Sequence, residues 1–296
     1  HDYSVSHTGT DLVVWQYTLP KCYEYYIVTK KIEGKSDETL KLYRLYIEHA
    51  LYAISKPLED ITANDVRVYL YNVQKQRGIG NRALDCRRSI LNAFFNWCAA
   101  EGYIAKNPML NIKPIKFEKK EREPIDASRM EEIRMACETA RERAVIEVLY
   151  STACRETELT RLNKSDVNMT TGEVKLFGKG GKHRSSYLSA RAMLYLKTYL
   201  STRTDGNEAL IVSEREPHNR IAKGAVEKVV REIGERCGIH LHPHLLRHTL
   251  ATDALAKGMP VTQLQMLLGH SSLDTTMIYA KVAATEVSQS HHKYVC

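Results

Sequence analysis

A chain of 296 residues with 43% hydrophobic side chains can bury one large core or two ordinary ones, which excludes an intrinsically disordered protein. Its formal charge of +8 suits a polyanionic partner, nucleic acid or an acidic membrane surface, though charge alone does not choose between these and no such partner. No stretch approaches the roughly 20 apolar residues of a membrane span, and the start, "HDYSVSHTGTDLVVW", lacks the charged-then-apolar pattern of a secretory signal. A cytoplasmic protein is expected, and its seven scattered cysteines, with no C-x-x-C pair, are expected to be reduced thiols.

From about Leu19 to Pro108 the pattern is helical. Ser36 is placed to cap "DETLKLYRLYIEHALYAI", in which Leu40, Tyr43, Ile47 and Leu51 recur at helical spacing. Thr62 caps "ANDVRVYLYNVQKQ", which Gly78 to Gly80 ends; Asn81 opens the next helix and Gly102 stops it. The expected first unit is therefore a small helical domain over residues 1–111. Lys41 and Arg44 on one helix, with Arg82, Arg87 and Arg88 on a later one, are candidates for a DNA-facing surface; scattered charges on a solvated face are the plainer alternative.

"IKPIKFEKKEREPI", from Ile112 to Ile125, is charged, has a proline near each end and no apolar period, and reads as a linker over residues 112–124. A second domain over 125–296 opens with helices over about Ser128 to Thr152. Val174, Leu176 and Tyr187 then suggest a short hairpin turning at Gly178 to Gly181. Helical patterning resumes at Ala190 and is expected nearly to the end. The fold class is thus mostly α with a small β-hairpin, in two domains.

"HPHLLRHTLATDALAKG", starting at His242, carries the densest chemistry. Pro243 suits a first helical turn, Leu246, Leu250 and Ala254 form an apolar stripe, and His244 and Arg247 share one face near the helix N-terminus, a natural seat for a phosphate. Taken alone, a capping histidine and a surface arginine would look the same. Downstream, Pro260 starts a helix with Leu264 and Leu268 on one face, Gly269 stops it, His270 follows, and Ser271 or Ser272 caps a last short helix presenting Tyr279. Upstream, Arg155 and Glu158 lie three apart among the apolar Leu149, Leu159 and Leu162, where an unpaired guanidinium would be costly. Lys179 sits in the turn "FGKGGKHR", which is not a Walker phosphate loop.

Arg155, Lys179, His244-x-x-Arg247, Gly269-His270 and Tyr279, in that order, resemble the tyrosine recombinase (phage integrase) family, which includes Xer and Cre members. The resemblance is strong over about 125 residues, from Arg155 to Tyr279, whereas the first domain fits the family's core-binding domain only in outline. Cys154 departs from the bulky apolar residue that usually precedes the first arginine, and Asp274 from a small polar one; neither change removes a catalytic group.

Phosphodiester chemistry agrees with the resemblance. Charge grows on the phosphate in the transition state, so positioned cations supply most of the catalysis. Arg155 and Arg247 can each fork onto non-bridging oxygens. A phenol titrates near pH ~10 in water, so Tyr279 as nucleophile needs cations and a base, for which His244 is the candidate. The resemblance implies that Lys179 protonates the leaving 5′-oxygen, that Glu158 orients Arg155, and that His270 hydrogen-bonds the phosphate. It also implies a 3′-phosphotyrosyl intermediate, specific double-stranded DNA sites, two domains closing around a duplex, and a homotetramer on DNA.

No cofactor is expected. The cluster Cys237, His240, His242, His244 and His248 and the tail "HHKYVC" match no structural zinc spacing, so no metal is expected either. Ala283, Val287 and Tyr294 make a roughly helical stripe after the nucleophile that could fold back on its own domain or dock on a neighbouring subunit. Integration and excision of a mobile element is the expected role. The alternatives are Xer-like dimer resolution, DNA inversion, a type IB-like topoisomerase that relaxes DNA without exchange, and a DNA-binding regulator with an idle pocket.

Overall fold

The computed structural model describes residues 18–118, 123–178, 183–270, 272, 276, 277 and 279. The chain divides into two compact units between residues 120 and 121.

The first unit is built from α1 (Lys21–Ile32), α2 (Asp37–Ile54), α3 (Ala63–Arg77) and α4 (Asn81–Ala100). Side-chain caps set two of the starts. Ser36 accepts from the Thr39 N–H, and Thr62 forms a reciprocal capping box with Asp65, satisfying donors that a helix N-terminus leaves free. Gly78 ends α3 in the left-handed conformation, with φ of 58°. The apolar stripes close on an aromatic-rich core in which Tyr26 meets Phe94 edge-on, ring centroids 5.2 Å apart.

The stretch read as a linker begins fastened to this unit. The Ile115 N–H donates to Asp85 Oδ1 (2.8 Å), Asn81 Nδ2 donates to the Lys116 carbonyl (3.0 Å), and Ile112 and Ile115 pack against the core. Charge and prolines concealed two apolar anchors spaced three apart.

The second unit comprises α5 (Ala127–Met135), α6 (Ala140–Thr152), α7 (Glu156–Leu159), the antiparallel hairpin β1 (Glu173–Phe177) and β2 (His183–Tyr187), α8 (Ala190–Ser201), α9 (Lys223–Arg236), α10 (Pro243–Ala256) and α11 (Val261–Leu268). Helix α6 is the hub. Val145, Ile146, Val148 and Leu149 are wholly buried, and Glu142 and Glu147 are buried with them, paired with Arg236 and Arg134. Tyr150 at its end donates to Asp253 of α10 (2.8 Å), and the Ser186 hydroxyl of β2 donates to the Thr152 carbonyl (2.8 Å), locking hairpin and α10 onto the same helix end.

The hairpin pairs Glu173 with Tyr187 through Phe177 with His183. Helical structure is not continuous after Ala190. Residues 202–222 run as irregular chain with isolated bridges between Asn163 and Ala209 and between Val212 and Arg220. Arg203 holds this segment, donating to Asp205 and to the carbonyls of Asn207, Ala209 and Leu210. The expected helix fails here because the buried residues, Ala209 to Val212 and then Ile221, come as a short run and a single residue and not at helical spacing.

Candidate active site

Helix α6 ends at Ala153, held in the left-handed region with φ of 48°, an unusual conformation for a residue with a Cβ. The turn delivers Arg155 as the first residue before α7. Glu158 reaches back, its Oε2 accepting the Arg155 N–H (2.8 Å) and its Oε1 meeting Arg155 Nη1 at 3.0 Å. From the hairpin, Arg184 of β2 forks onto the same carboxylate, Nη1 to Oε1 at 2.6 Å and Nη2 to Oε2 at 2.8 Å.

Glu158 is almost fully buried. Burial alone would raise its pKa, but the hydrogen bonds from Arg184 and the Arg155 N–H, with both positive charges, outweigh it and hold the carboxyl below its ordinary value. Arg184 Nε also donates to the Leu267 carbonyl (2.8 Å) at the end of α11. A Cβ at Gly269 would fall 2.9 Å from Arg184 Cδ, and Gly269 has φ of 63°, so this position needs glycine for both space and backbone.

The sequence placed a helix start at Pro243, and α10 begins there, but the capping side chain is His242, whose Nδ1 accepts the Leu245 N–H (3.1 Å). The buried face of α10 contains Leu246, Ala251 and Leu255, and it also contains Arg247 itself, 4% exposed; Leu250 and Ala254 of the expected stripe are only partly covered. Arg247 Nη1 donates to the Ala153 carbonyl and Nη2 to the Leu268 carbonyl (2.7 Å). Burial, then the charges of Arg155 and Arg184, push its pKa down to about 10, which leaves it cationic at neutral pH.

His270 follows Gly269 as expected. Its Nε2 lies 3.1 Å from Arg247 Nη2 and its Nδ1 2.9 Å from Thr276 Oγ1. A guanidinium only donates, so Nε2 must accept and the proton is assigned to Nδ1, which donates to Thr276. Burial, Arg247, Arg155 and Arg184 push the His270 pKa down to about 4, so the ring is neutral near pH 7.

Tyr279 packs on the small cluster of Ala153, Ala251, Leu255, Leu264 and Leu268. Its ring stacks on His270 (6.2 Å, 13°) and meets His248 edge-on (5.2 Å, 79°). His244 is exposed in the first turn of α10, with Nε2 3.7 Å from Glu156 Oε2. Direct contacts thus join Arg155 to Glu158, and Arg247 to His270 and Tyr279; Arg184 and the adjacent Leu267 and Leu268 carbonyls connect the two sets, and the exposed His244 lies against Glu156. Lys179, Asp274, Ala283, Val287 and Tyr294 lie outside the described residues.

In the first unit, Lys41 and Arg82 are exposed, and Arg44 lies 3.6 Å from Glu24. Arg87 and Arg88 are not surface groups. Arg87 stacks its guanidinium over the Tyr46 ring at 4.0 Å, and Arg88 Nε donates to Asp85 at 2.6 Å. A run of arginines read as one basic face; helical rotation turns these two inward against an aromatic ring and a carboxylate.

Sequence reasoning missed Arg184. The available signal was alternation in β2, "HRSSY", which turns Arg184 and Ser186 inward while His183, Ser185 and Tyr187 face out.

Two arginines sharing one buried carboxylate, with a buried third beside a tyrosine stacked on a histidine, fit one class of enzyme: the chain belongs to the Phage integrase family, whose pattern it matches over residues 123–286. Its relatives are tyrosine recombinases, enzymes of DNA strand transfer, and this is the activity of its class. It is 34% identical over 257 residues to tyrosine recombinase XerC of Chromobacterium violaceum, covering 84% of this chain and 85% of that one. Tyrosine recombinase XerA of Thermococcus onnurineus is 30% identical over 275 residues, 92% and 93% of the two chains. In fold the chain is similar to lambda integrase as crystallised in a tetramer bound to a Holliday junction, with a TM-score of 0.70 and 23% identity over 84% of this chain and 76% of that one.

Proposed function

We propose that this chain cuts and rejoins specific double-stranded DNA sites through a 3′-phosphotyrosyl link to Tyr279, as a homotetramer serving integration and excision of a mobile element. The observation that carries the reading is Tyr279 stacked on His270, which itself touches the buried Arg247. Arg155 and Arg247 hold the non-bridging oxygens as charge grows on the phosphate. His244 takes the phenol proton, the tyrosine oxygen bonds to phosphorus, and the bond to the 5′-oxygen breaks. Lys179 protonates that oxygen, and attack by a 5′-hydroxyl of a second strand reverses the sequence.

The DNA contacts of the first unit are assigned to Lys41, Arg44 and Arg82, which keep exposed or partly exposed side chains. The segment from Thr285 to Cys296 docks on a neighbouring subunit, coupling the placement of Tyr279 to assembly. Near-full-length similarity to proteins named XerC and XerA favours a second role, Xer-like dimer resolution. Sequencing the DNA that flanks the gene separates the two, since element ends or inverted repeats mark a mobile element.

The test uses a duplex site recovered by this protein from a random DNA library, nicked to trap the intermediate. Wild type gives a covalent adduct on a denaturing gel, and Tyr279→Phe binds equally but gives none. An adduct that persists in the mutant rejects the nucleophile.

A further inference from the structure

Glu156, immediately after Arg155, opens α7 with its carboxylate buried. A lysine and an imidazole approach it from different helices. Lys223 Nζ of α9 lies 3.4 Å from Oε1, and His244 Nε2 of α10 lies 3.7 Å from Oε2. Oε2 is enclosed by protein and accepts no hydrogen bond. An enclosed carboxylate oxygen without a donor is costly, and such a group calls for an explanation.

We propose that Glu156 is a positioning residue for His244. Its Oε2 takes the Nε2–H of the ring, which fixes the tautomer that leaves Nδ1 bare, and its charge stabilises the imidazolium formed when His244 accepts the proton of Tyr279. The inference rests on His244 being the base, as proposed above. At 3.7 Å the two groups are at ion-pair distance and short of a hydrogen bond. Catalytic hydrogen bonds are commonly long until substrate seats the ring, and the exposed His244 side chain has room to close that gap. A carboxylate behind a histidine does the same work wherever an imidazole must abstract a proton.

The remaining charged and titratable groups around His244 are accounted for. Lys223, also 3.5 Å from Glu227, sits on the far oxygen of Glu156 and divides its attention between two carboxylates. Arg247 lies three residues on along α10, Arg155 precedes Glu156, and His240 and His242 face each other (5.9 Å) just before α10. Among the described residues, the carboxylate recorded against the His244 ring is that of Glu156. Were its role only to open α7 or pair with Lys223, its charge would matter to stability and not to the His244 ring.

The experiment follows the imidazole nitrogens of the full chain, labelled with 15N-histidine, through a pH titration. Glu156→Gln keeps the shape and removes the charge. It should lower the His244 pKa by at least about half a unit and spread the proton of the neutral ring over both nitrogens. Lys223→Met removes the competing cation, so it should shift the same pKa upward, which keeps the test open if Glu156→Gln does not fold. In single-turnover cleavage of the selected nicked duplex, Glu156→Gln should be at least about tenfold slower, within the usual contribution of a general base, with its acid limb moved to lower pH; Glu156→Asp should keep the limb near the wild-type position. An unchanged His244 titration in both variants overturns the inference. Loss of the Tyr279-dependent adduct in wild type would instead reject the reaction assigned above, while the titration arm still decides whether Glu156 governs His244.

Discussion

Arg184 and Glu158, 26 residues apart in the chain, form a two-bond fork in the second unit, and through it the hairpin sets the position of Arg155. Arg184→Met leaves a buried carboxylate with one guanidinium in place of two. Breaking such a pair typically costs about 3–5 kcal/mol, read by urea unfolding. Cleavage should fall roughly 100-fold, the scale of a misplaced catalytic group. Adding Glu158→Gln should restore part of the stability and none of the cleavage. Full stability in Arg184→Met would mean that the fork is not formed in solution.

Arg155→Lys and Arg247→Lys should each slow single-turnover cleavage by at least about 100-fold, the usual loss of one transition-state donor, because an ammonium cannot present two donors in a plane. The two differ in stability. Arg155 is partly exposed and should tolerate lysine, whereas Arg247 ties two carbonyls and should lose heat resistance as well. Equal melting temperatures for both variants would contradict that division.

The pKa of His270, pushed down to about 4 from an ordinary 6.5, predicts acid sensitivity. Between these values the unfolded chain binds the proton and the folded one does not, so stability rises with pH across the window and is lost as pH falls from about 6.5 to about 4. His270→Asn should flatten this part of a plot of melting temperature against pH. An identical slope in wild type and mutant would exclude His270 as its source.

Protein cations carry the proposed chemistry, so adduct formation should proceed in excess EDTA without nucleotide. A metal-assisted nuclease needs its ion to activate water and clamp the phosphate. Cleavage lost in EDTA and restored by magnesium would move the chemistry to a metal.

The order of helices could be read where one side chain decides locally. Ser36, Thr62, Gly78 and Gly269 act on backbone groups within a turn of themselves, and each ends or begins its helix where the pattern put it. The partners that finish the site are remote. Arg184 finds Glu158 only because the hairpin folds against α7, and Arg87 turns from a surface charge into a stacked one only because Tyr46 on another helix faces it. The resemblance gave the line of reacting groups, with Glu158 beside Arg155; it carried no trace of Arg184 as the second guanidinium on that carboxylate, and spacing did not show that His242 is the cap of α10.

Helices α6 and α11 both direct their last carbonyls at arginines: Ala153 and Leu268 at Arg247, and Leu267 at Arg184. A helix C-terminus carries about half a negative charge. Two such poles, with Glu158, let three guanidiniums crowd together as the chain folds, so like-charge repulsion is screened before any nucleic acid is near. The electropositive socket is therefore a permanent part of the folded core. Added salt should weaken the grip of this protein on DNA far more than it disturbs the arrangement of the arginines themselves.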